Sequence, residues 1–471
     1  MHSRGVAFWA GLIVAVSAHG DVELPVDAFN TDPGWLGVNN VPPEEVRKEI
    51  RQDFGWVAPS ADGFTAGAVG GSVCRSFTPA WFGKAIPTAS LNQRLSASGT
   101  FVVKDSQGGS GVLVGWFNSK SRGWRTPNSL VFRLDGEGGK FRVFYEYGTR
   151  HWLTGGGETF EGRYQDNPAS LHPAGPGAHT WSLDYDPEGA DGLGEITFVF
   201  DGEVFRAPLL AGHKEDGAEF DRFGLMNVQI TGDRIELYVS DLVINGDAID
   251  LQSDPGWNGN NHRTTYADYV QRPHHDVQWR DTARAGGAPG EIGGFVWRID
   301  PRDPDQGLQY GKEALPVSWD KPFEASGRIC FASTAVDSAV LIGWYNAGTP
   351  LGSPPSNFAG ILMEGPSRIG HYFRPVVGAA NGSSGICQEG PVIRPDGTSH
   401  TWSFAFKPAS VEQRARIRVT LDDETVDYEV PDPVLAGGME TNRFGLLSWH
   451  QGGHFVEIYV DDIRLAYGEH R

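Results

Sequence analysis

An internal repeat limits what this chain can fold into more than any other feature of its sequence. The tetrapeptide DPGW occurs at residues 32–35 and again at residues 254–257, an offset of 222 residues. Further pairs follow in the same order at offsets between 221 and 229: GGSVCR and GGFVWR (from Gly70 and Gly293), GWFN and GWYN (from Gly115 and Gly343), PNSLVFRLDG and SNFAGILMEG (from Pro127 and Ser356), HTWS (His179 and His400) and RFGL (Arg222 and Arg443). The collinear order and the small drift predict a duplicated domain with short loop insertions, not a short-period solenoid.

Length and composition agree with two large β domains. A chain of 471 residues would hold three domains at about 150 residues each, but all-β domains commonly run to about 200–250 residues. The 63 glycines and 30 prolines favour turn-rich β structure, and 39% hydrophobic residues suffice for a core in each half. We predict a signal peptide over residues 1–18, a first repeat over 19–250 and a second over 251–471.

The first residues are typical of a secretory signal. In MHSRGVAFWAGLIVAVSAHG, Arg4 precedes an apolar run, and Val16-Ser17-Ala18 forms a small-residue cleavage site. The run is short for a membrane span, and no later stretch is long and apolar enough to be one. The sequence therefore predicts a secreted, periplasmic or cell-surface protein without a membrane span.

Net charge limits the classes of binding partner, and the cysteine count limits disulfide formation. With 39 basic and 59 acidic residues the formal net charge is -20, which disfavours nucleic acid and anionic membranes as partners. Three cysteines are too few for a disulfide scaffold. Cys330 and Cys387 share the second repeat and could pair after export, whereas Cys74 is predicted to be a buried small hydrophobe.

Strand patterns dominate the chain. TWSLDYD, residues 180–186, and its counterpart TWSFAFK, residues 401–407, alternate apolar and polar positions, as do RIELYVSDL and FVEIYVDDIRL. ITFVFDGE is an apolar run closed by an Asp-Gly turn. Only PPEEVRKEIRQ, Pro42–Gln52, is predicted to be helical. Strand after strand joined by short turns predicts a β-sandwich.

The order HTWSLDYDP, ITFVFDGE, RIELYVSDL resembles the last strands of concanavalin A-like jelly rolls. That fold is shared by legume-type lectins, laminin-G-like modules, laminarinase-type glycosidases and several polysaccharide lyases. The resemblance covers the C-terminal half of each repeat and implies an all-β chain of two tandem concanavalin A-like jelly-roll sandwiches arising from internal duplication. It implies a fold and not an activity.

Two stretches rich in aromatic and cationic residues suggest a glycan site. Aromatic rings can stack on the CH faces of sugars, while Asn, Arg and His bind hydroxyl or carboxylate groups. The stretches are GWFNSKSRGWRTPN, residues 115–128, and FYEYGTRHW, residues 144–152, and the second repeat offers SRIGHYFRPVVG, residues 367–378. The candidate substrate-binding residues are Trp116, Asn118, Trp124, Arg125, Asn128, Tyr147, Trp152, His371, Tyr372 and Arg374. Ordinary core packing with solvated charges is the alternative.

Two kinds of polysaccharide cleavage remain open at this stage. For elimination, Tyr145 would move the proton, and Arg150 and His151 would stabilise the enolate formed at a uronate carboxylate. The strand motifs of known jelly-roll alginate lyases are absent, which weakens this interpretation.

Hydrolysis needs two carboxylates about 5 Å apart for retention or about 6.5–9.5 Å apart for inversion. Asp184 and Asp186 lie two residues apart on one predicted strand, a spacing of about 6.5–7 Å. Glu146 is a further candidate acid. The alternative is a solvated strand face, and in the second repeat the two positions are Ala405 and Lys407.

Other polar residues recur in both repeats. The pairs Arg75/Arg298, Arg222/Arg443, Asn118/Asn346 and Asn128/Asn357 favour structural roles. Asp32 or Asp254 near the first strand could approach Asp241 or Asp462 on the last and hold a structural calcium ion. His274-His275-Asp276 is predicted to be a polar loop. No other cofactor is predicted.

The sequence thus predicts a secreted carbohydrate-active protein that binds and degrades an extracellular polysaccharide, as a glycoside hydrolase or a polysaccharide lyase. The alternative is a lectin-like glycan-binding or cell-surface adhesion protein without turnover. The sequence does not decide between enzyme and binding protein, and it does not identify the sugar.

Overall fold

The computed structural model describes residues 15–16, 22–23, 26–42, 47–59, 66–156, 171–269 and 274–468. Except for residues 15–16, the predicted signal peptide lies outside these ranges, so its assignment stays a prediction.

The described chain is built from strands and a few short helical turns. Up to residue 269 the strands are β1 (Ala15–Val16), β2 (Val22–Glu23), β3 (Leu36–Val38), β4 (Arg47–Val57), β5 (Ala68–Cys74), β6 (Trp81–Ser90), β7 (Leu95–Ser106), β8 (Gly111–Phe117), β9 (Ser129–Gly136), β10 (Lys140–Gly148), β11 (Thr154–Gly156), β12 (His172–Pro173), β13 (Ala178–Asp186), β14 (Glu195–Phe200), β15 (Glu203–Pro208), β16 (Glu219–Asn227), β17 (Arg234–Ile244), β18 (Asp247–Ala248), β19 (Asn258–Asn260) and β20 (Arg263–Tyr269).

The remaining strands are β21 (Asp276–Arg280), β22 (Glu291–Trp297), β23 (Gln309–Glu313), β24 (Phe323–Thr334), β25 (Ser338–Tyr345), β26 (Phe358–Gly365), β27 (His371–Gly378), β28 (Ser384–Ile386), β29 (Val392–Ile393), β30 (Ser399–Lys407), β31 (Arg416–Leu421), β32 (Glu424–Glu429), β33 (Arg443–Ser448) and β34 (Phe455–Tyr467). The helical elements are α1 (His213–Asp216), α2 (Asp432–Ala436) and two 3-10 turns at Ala190–Gly192 and Pro304–Gln306.

The strands form two antiparallel sandwiches, each with its own core. In the first sandwich, sheet I has the order β15-β14-β13-β7-β17-β5-β4-β20 and sheet II the order β11-β10-β9-β8-β16-β6-β19. In the second, sheet III runs β21-β22-β34-β24-β30-β31-β32 and sheet IV runs β28-β27-β26-β25-β33-β23-β3. This architecture of antiparallel sheets confirms the predicted all-β fold class. The internal duplication stays a prediction.

Alternation along the strands explains why each sheet buries one face. On β13, Trp181, Leu183 and Tyr185 are buried in the first core, while the residues between them are partly exposed. The equivalent face of β30 is buried in the second core. Because successive strand side chains point to opposite faces, this pattern fixes the register of both strands.

The helix predicted over Pro42–Gln52 is wrong over residues 47–52, and residues 43–46 lie outside the described ranges. Residues 47–57 form strand β4, and Ile50, Gln52 and Phe54 point inward at every second position. The side-chain amide of Gln52 bonds both the carbonyl oxygen and the amide nitrogen of Cys74 on the neighbouring strand, each at 2.8 Å. Because one of the inward positions is a glutamine, the apolar residues of β4 do not recur at every second position. A prediction based on hydrophobicity therefore misses the strand.

The repeated HTW and Asp-Gly motifs have a structural explanation. The ring nitrogen Nδ1 of His179 lies 2.7 Å from the carboxylate of Asp201, which also accepts a hydrogen bond from the Thr180 amide at 2.9 Å. His400 and Asp422 repeat this arrangement with the same 2.7 Å distance. Both aspartates have positive φ, 48° and 49°, so the histidine fixes a tight turn that L-residues adopt reluctantly.

Other recurring residues also occupy equivalent positions, as expected for structural roles. Asn128 and Asn357 both have positive φ, and their side-chain oxygens accept hydrogen bonds from the amides of Glu219 and Glu440, each at 2.9 Å. Arg75 pairs with Asp135 at 2.5 Å.

In the second repeat, Arg298 lies 3.8 Å from Glu364, in the place that Arg75 takes beside Asp135. Arg222, which recurs as Arg443 in the second repeat, lies over the Trp81 ring.

Strand pairing crosses the predicted boundary between residues 250 and 251 in both directions. Strand β3, near the start of the chain, pairs with β23 at the edge of sheet IV in the second sandwich. Strands β19 and β20, which follow residue 250, pair with β6 and β4 in the first sandwich. Each DPGW segment therefore joins the sandwich built mainly by the other repeat.

The two sandwiches meet along a shared apolar cluster. Phe77 of the first sandwich contacts the rings of Phe295 and Phe455 of the second, with ring centroids 6.0 and 4.9 Å apart. Trp297 belongs to the same cluster. The Thr154 amide also bonds a carbonyl oxygen of the second sandwich at 3.1 Å. These contacts hold the sandwiches against each other.

A loop on the outer face of sheet III is anchored by a buried carboxylate. Glu291 accepts hydrogen bonds from the amides of Arg284 at 2.9 Å and Ala285 at 2.7 Å, and from the Thr282 hydroxyl. Nearby, burial raises the pKa of Asp461 to about 6, and the charges of Asp462 and Glu291 act in the same direction. The loop therefore covers a carboxyl group that resists ionisation.

The cysteines and the histidine pair differ from the predictions. Cys330 and Cys387 are both buried and both free, so the predicted pairing is wrong. Cys74 is partly buried. His274 and His275 are buried rather than part of a polar loop: His275 accepts a hydrogen bond from the Trp297 amide at 3.1 Å, and its second nitrogen lies 3.0 Å from a carbonyl oxygen.

Candidate functional site

A pocket opens at one end of the first sandwich, where β10, β16 and α1 meet. Its volume is about 310 Å³. The lining residues come from three separate parts of the chain: Ser90, Leu91, Asn92, Arg150, Lys214, Glu215, Asp216, Gly217, Ala218 and Glu219. We call this the edge pocket. Seven of these ten residues have polar or charged side chains, which suits a ligand with many hydroxyl groups.

Asp216 is the most firmly held group of the edge pocket. Its carboxylate accepts hydrogen bonds from the His151 amide at 3.1 Å and lies 3.0 Å from the His151 ring nitrogen Nδ1. Arg394, from the second sandwich, is 3.4 Å away. Burial alone would raise the pKa of Asp216, but the hydrogen bonds from Thr149 and His151 outweigh it and lower the pKa. The carboxylate is therefore stabilised in its ionised form.

The opposite wall of the edge pocket is an ion pair on a braced strand. Arg150 pairs with Glu219 at 2.6 Å. The backbone of Glu219 is held on both sides, because Asn118 donates to its carbonyl oxygen at 3.2 Å and its amide donates to Asn128 at 2.9 Å. Two predicted substrate-binding residues thus position the pocket wall instead of facing a ligand.

The floor of the edge pocket is also fixed. Lys214 donates to the carbonyl oxygens of Pro187 at 2.6 Å and Gly192 at 3.1 Å. Behind α1, the Tyr147 hydroxyl lies 2.9 Å from a ring nitrogen of His213 and accepts the Leu210 amide at 3.1 Å. Tyr147 is buried, and burial raises its pKa to about 12. This predicted substrate-binding residue therefore supports the pocket from within the core.

The residues predicted for elimination are only partly brought together. Arg150 lines the edge pocket and His151 bonds its Asp216, as described above. Tyr145 is fully buried in the first core, where its ring stacks on Phe198 at 5.7 Å. Strand alternation places it on the inner face of β10, away from the two loop residues. The Tyr145 hydroxyl is therefore not available there for proton transfer.

The predicted aromatic binders lie in packed regions. Trp116 is fully buried in the first core. Trp124 and Trp152 belong to the cluster shared by the two sandwiches, and the Trp152 indole nitrogen donates to the Trp124 carbonyl oxygen at 3.2 Å. Arg125 stacks on Trp124, and burial lowers its pKa to about 10. Trp116 therefore belongs to a core, and Trp124, Arg125 and Trp152 belong to the interface between the sandwiches. None of these side chains is available for sugar stacking.

The candidate carboxylates are separated. Asp184 and Asp186 lie on β13 in sheet I, whereas Glu146 lies on β10 in sheet II and pairs with Arg133 at 3.1 Å. Burial raises the pKa of Asp184, although a hydrogen bond from Ser182 opposes this. Asp186 is paired with Arg94 at 2.6 Å. Only the first two can act together.

The candidates of the second repeat form structural contacts. His371 is fully buried, with its Nε2 atom 2.8 Å from the Ser338 hydroxyl, and burial lowers its pKa to about 3. Arg374 lies over the Tyr372 ring and 3.4 Å from the Glu364 carboxylate. His371 therefore cannot reach a ligand on the surface.

The four predicted calcium ligands do not come together. Asp32 and Asp254 each accept the amide hydrogen bond of a Gly two residues later, both at 2.9 Å. Asp241 accepts from a threonine hydroxyl at 2.7 Å, and Asp462 lies 3.2 Å from Arg328. In the described ranges, no group of three or more His, Cys, Asp or Glu side chains is arranged to hold a metal ion.

A second cavity, of about 340 Å³, lies at the sheet I edge of the first sandwich. It is lined by Lys48, Glu49, Ile50, Arg51, Asp53, Ser72, Cys74, Gln107, Gly232, Asp233 and Arg234. Among its cations, Arg51 is 76% exposed and pairs with Asp53 at 3.2 Å. Burial raises the pKa of Cys74, so the thiol is not activated. The edge pocket, with its braced groups, is the better preorganised of the two.

Sequence reasoning found Arg150 and His151 but missed their partners. Asn92, Asp216 and Glu219 lie more than 55 residues away in sequence from Arg150. The run HKEDGAEFD, residues 213–221, is acidic and precedes the recurring RFGL, whereas the second repeat has VLAGGMETN, residues 434–442, at the corresponding place. This difference between repeats is the signal that would have pointed to the pocket.

Comparisons with known proteins identify neither a family nor a function for this chain. No protein-family model matches the chain, and no curated protein matches it. Among solved structures, domains LG4-5 of the mouse laminin alpha1 chain share 12% identity at a TM-score of 0.24, covering 87% of this chain and 92% of that chain. The GH43 protein BlXynB from Bacillus licheniformis shares 11% identity at a TM-score of 0.26, covering 73% and 66%.

A truncated AlyQ with CBM32 and alginate lyase domains shares 8% identity at a TM-score of 0.23, covering 90% and 100%. At these TM-scores the matches support no argument about function. Separately, no helix in the described part of the chain is long and apolar enough to cross a membrane.

Proposed function

We propose that this chain is a secreted carbohydrate-binding protein and that the edge pocket of the first sandwich binds its glycan. The observation that carries the proposal is a preformed polar pocket whose donors and acceptors are held in place before any ligand arrives. Asn92, Arg150 and Glu219 line it, and Asp216 is fixed by hydrogen bonds. Sugar hydroxyls act as donors and acceptors at once, so a wall carrying both kinds of group suits them.

Binding is favoured over catalysis in this pocket because of its electrostatics. A general acid needs a raised pKa, and that of Asp216 is lowered. Glu219 is ion-paired with Arg150 at 2.6 Å. Both carboxylates are therefore suited to accept hydrogen bonds from a ligand. Elimination with Tyr145 as base is not part of the proposal, because that side chain is fully buried.

The test is affinity electrophoresis of the purified protein in gels containing neutral or uronate-containing polysaccharides. We expect retardation by at least one polysaccharide, and a roughly tenfold or greater loss of affinity for Asn92→Ala and Glu219→Ala, since each removes a hydrogen-bonding side chain. Arg51→Ala, at the second cavity, is the matched control and should bind normally. Equal loss in the control, or unchanged binding in both pocket variants, would contradict the proposal.

A second candidate function, hydrolysis of the same class of polysaccharide, has one specific observation in its favour. Asp184 has a raised pKa, while Asp186, two residues along β13, is paired with Arg94 at 2.6 Å. Two carboxyl groups at about 6.5–7 Å would fit inversion. New reducing ends that disappear in Asp184→Asn would support this function. Unsaturated products would instead indicate elimination. If neither reducing ends nor unsaturated products form, only the binding function is left.

A further inference from the structure

Two segments of the chain close the two sandwiches in the same way. The N-terminal closing segment comprises residues 26–40, and the internal closing segment comprises residues 247–262. In each, an aspartate of DPGW accepts the amide hydrogen bond of the following glycine at 2.9 Å, and that glycine has a positive φ of 68° or 66°. The segments therefore share one turn, which glycine adopts without strain.

Both segments dock through their tryptophan. Trp35 is buried in the second core beside Tyr310 of β23, with ring centroids 5.6 Å apart. Trp257 packs on the first core beside Phe82 of β6, with ring centroids 5.8 Å apart. Strands β23 and β6 are edge strands until β3 and β19 cover them. Each segment thus combines strand addition with an aromatic anchor, a recurring mode of peptide recognition.

The flanking hydrogen bonds match as well. Trp279 donates its indole N–H to the Phe29 carbonyl oxygen at 2.8 Å, and Trp56 donates to the Leu251 carbonyl oxygen at 2.9 Å. Further along, the Val277 amide bonds the carbonyl oxygen of residue 40 at 2.8 Å, and the Phe54 amide bonds that of residue 262 at 2.9 Å. The two receptor sites are therefore equivalent along the whole segment.

What differs is how each segment is connected. The internal closing segment follows β17 of its own sandwich through a tight hairpin, in which Val243 pairs with Ala248. The N-terminal closing segment makes the same contact with the last strand, since Asp27 and Ile463 exchange two backbone hydrogen bonds. In this case no hairpin joins the segment to the strand that it contacts. The N-terminal closing segment comes from a distant part of the chain.

We propose that the closing site of the second sandwich, along β23 and around Tyr310 and Trp279, is a strand-accepting interaction surface whose partner is the DPGW segment of a second copy of this chain. The site accepts an element that is not continuous with it, so a donor on another molecule satisfies the same contacts. Exchange of identical elements is a low-cost route to association. The chain is then a monomer when closed on itself and a dimer when two copies exchange N-terminal segments.

The first experiment replaces residues 43–46 of the full-length protein with a site-specific protease sequence and cuts there. A labelled synthetic peptide of residues 26–40 is then added in excess and followed by fluorescence anisotropy. We expect the peptide to exchange into the cut protein, and an unlabelled peptide of residues 247–262 to compete. The Trp35→Ala peptide, the matched control, should bind at least about 100-fold more weakly.

The second experiment refolds the intact protein at high concentration and measures its mass by light scattering. A dimer that reverts to monomer with excess peptide 26–40 is expected. The proposal is overturned if the labelled peptide fails to enter the cut protein, including the case in which cutting unfolds it. It is equally overturned if the Trp35→Ala peptide binds as well as the parent, or if the refolded protein stays monomeric at every concentration.

Discussion

Replacing Asp461 by Asn should make the protein more stable at neutral pH and flatten its dependence on pH. In the folded state, burial and the neighbouring charges of Asp462 and Glu291 raise the pKa of Asp461 from 3.8 to about 6. The folded protein then holds a proton that the unfolded chain has already released. Between these two pH values, the free energy of unfolding therefore falls as the pH rises.

The magnitude follows from the size of the shift. One pKa unit corresponds to 1.36 kcal/mol, so ionising this carboxyl costs about 3 kcal/mol of stability once the pH exceeds 6. An asparagine cannot ionise, and its carbonyl oxygen can still accept the Asp462 amide hydrogen bond, which measures 2.8 Å. We therefore expect Asp461→Asn to gain about 2–3 kcal/mol at pH 7.5 and little at pH 4.

The assay is urea unfolding at pH 4, 5, 6 and 7.5, followed by tryptophan fluorescence. Asp247→Asn, at an exposed acid of β18, is the control and should leave the pH profile unchanged. If Asp461→Asn lost stability at pH 7.5, or kept the slope of the parent between pH 4 and 6, the assignment of a raised pKa to this carboxyl would be refuted.

Three further predictions concern anchors, turns and thiols. Trp35→Ala should destabilise the second sandwich by about 3–5 kcal/mol. Trp257→Ala should destabilise the first sandwich less, because that ring is only partly buried. Urea titration of each variant measures the free energy of unfolding. Partial desolvation of Asp201 would raise its pKa, but hydrogen bonds from His179 and Thr180 outweigh this and lower it. The contribution of Asp201 to stability is therefore present above pH 3.8 and lost as the pH falls through the lower folded-state pKa. Melting temperatures of Asp201→Asn and the parent should therefore differ at pH 7 and converge in acid. Cys330 is buried with a pKa raised to about 12, so it should react with a thiol reagent only after unfolding, and fast labelling of the native protein would contradict this.

The fold was largely predictable because strand alternation is a local property. Trp181, Leu183 and Tyr185 fall at every second position, and the structure buries all three. The error at β4 arose where the inward residue is Gln52, whose role depends on a partner strand that sequence patterns do not identify. The repeat of DPGW indicated two related units. It did not indicate which sandwich each segment would close, because that choice depends on chain connectivity in space.

The site was predictable only in part, for a related reason. Arg150 and His151 were found because they lie in a dense local stretch. Their partners Asp216 and Glu219 come from another strand and turn, and only the fold brings them within 3.0 and 2.6 Å. The density of aromatic residues led to wrong site assignments: Trp116 and Tyr145 come from the same stretches, and both are buried in the first core.

The crossing of the closing segments also sets an order for folding during synthesis. The first sandwich is complete once residue 269 has been made, since β20 is its last strand. The second sandwich takes β3 from the beginning of the chain and β34 from its end. Its closing segment is therefore made before the first sandwich and stays unpaired until the strands of the second sandwich follow. Contacts of such long sequence separation form slowly, so the exposed DPGW segment is the part of the nascent protein most in need of protection against pairing with its neighbours.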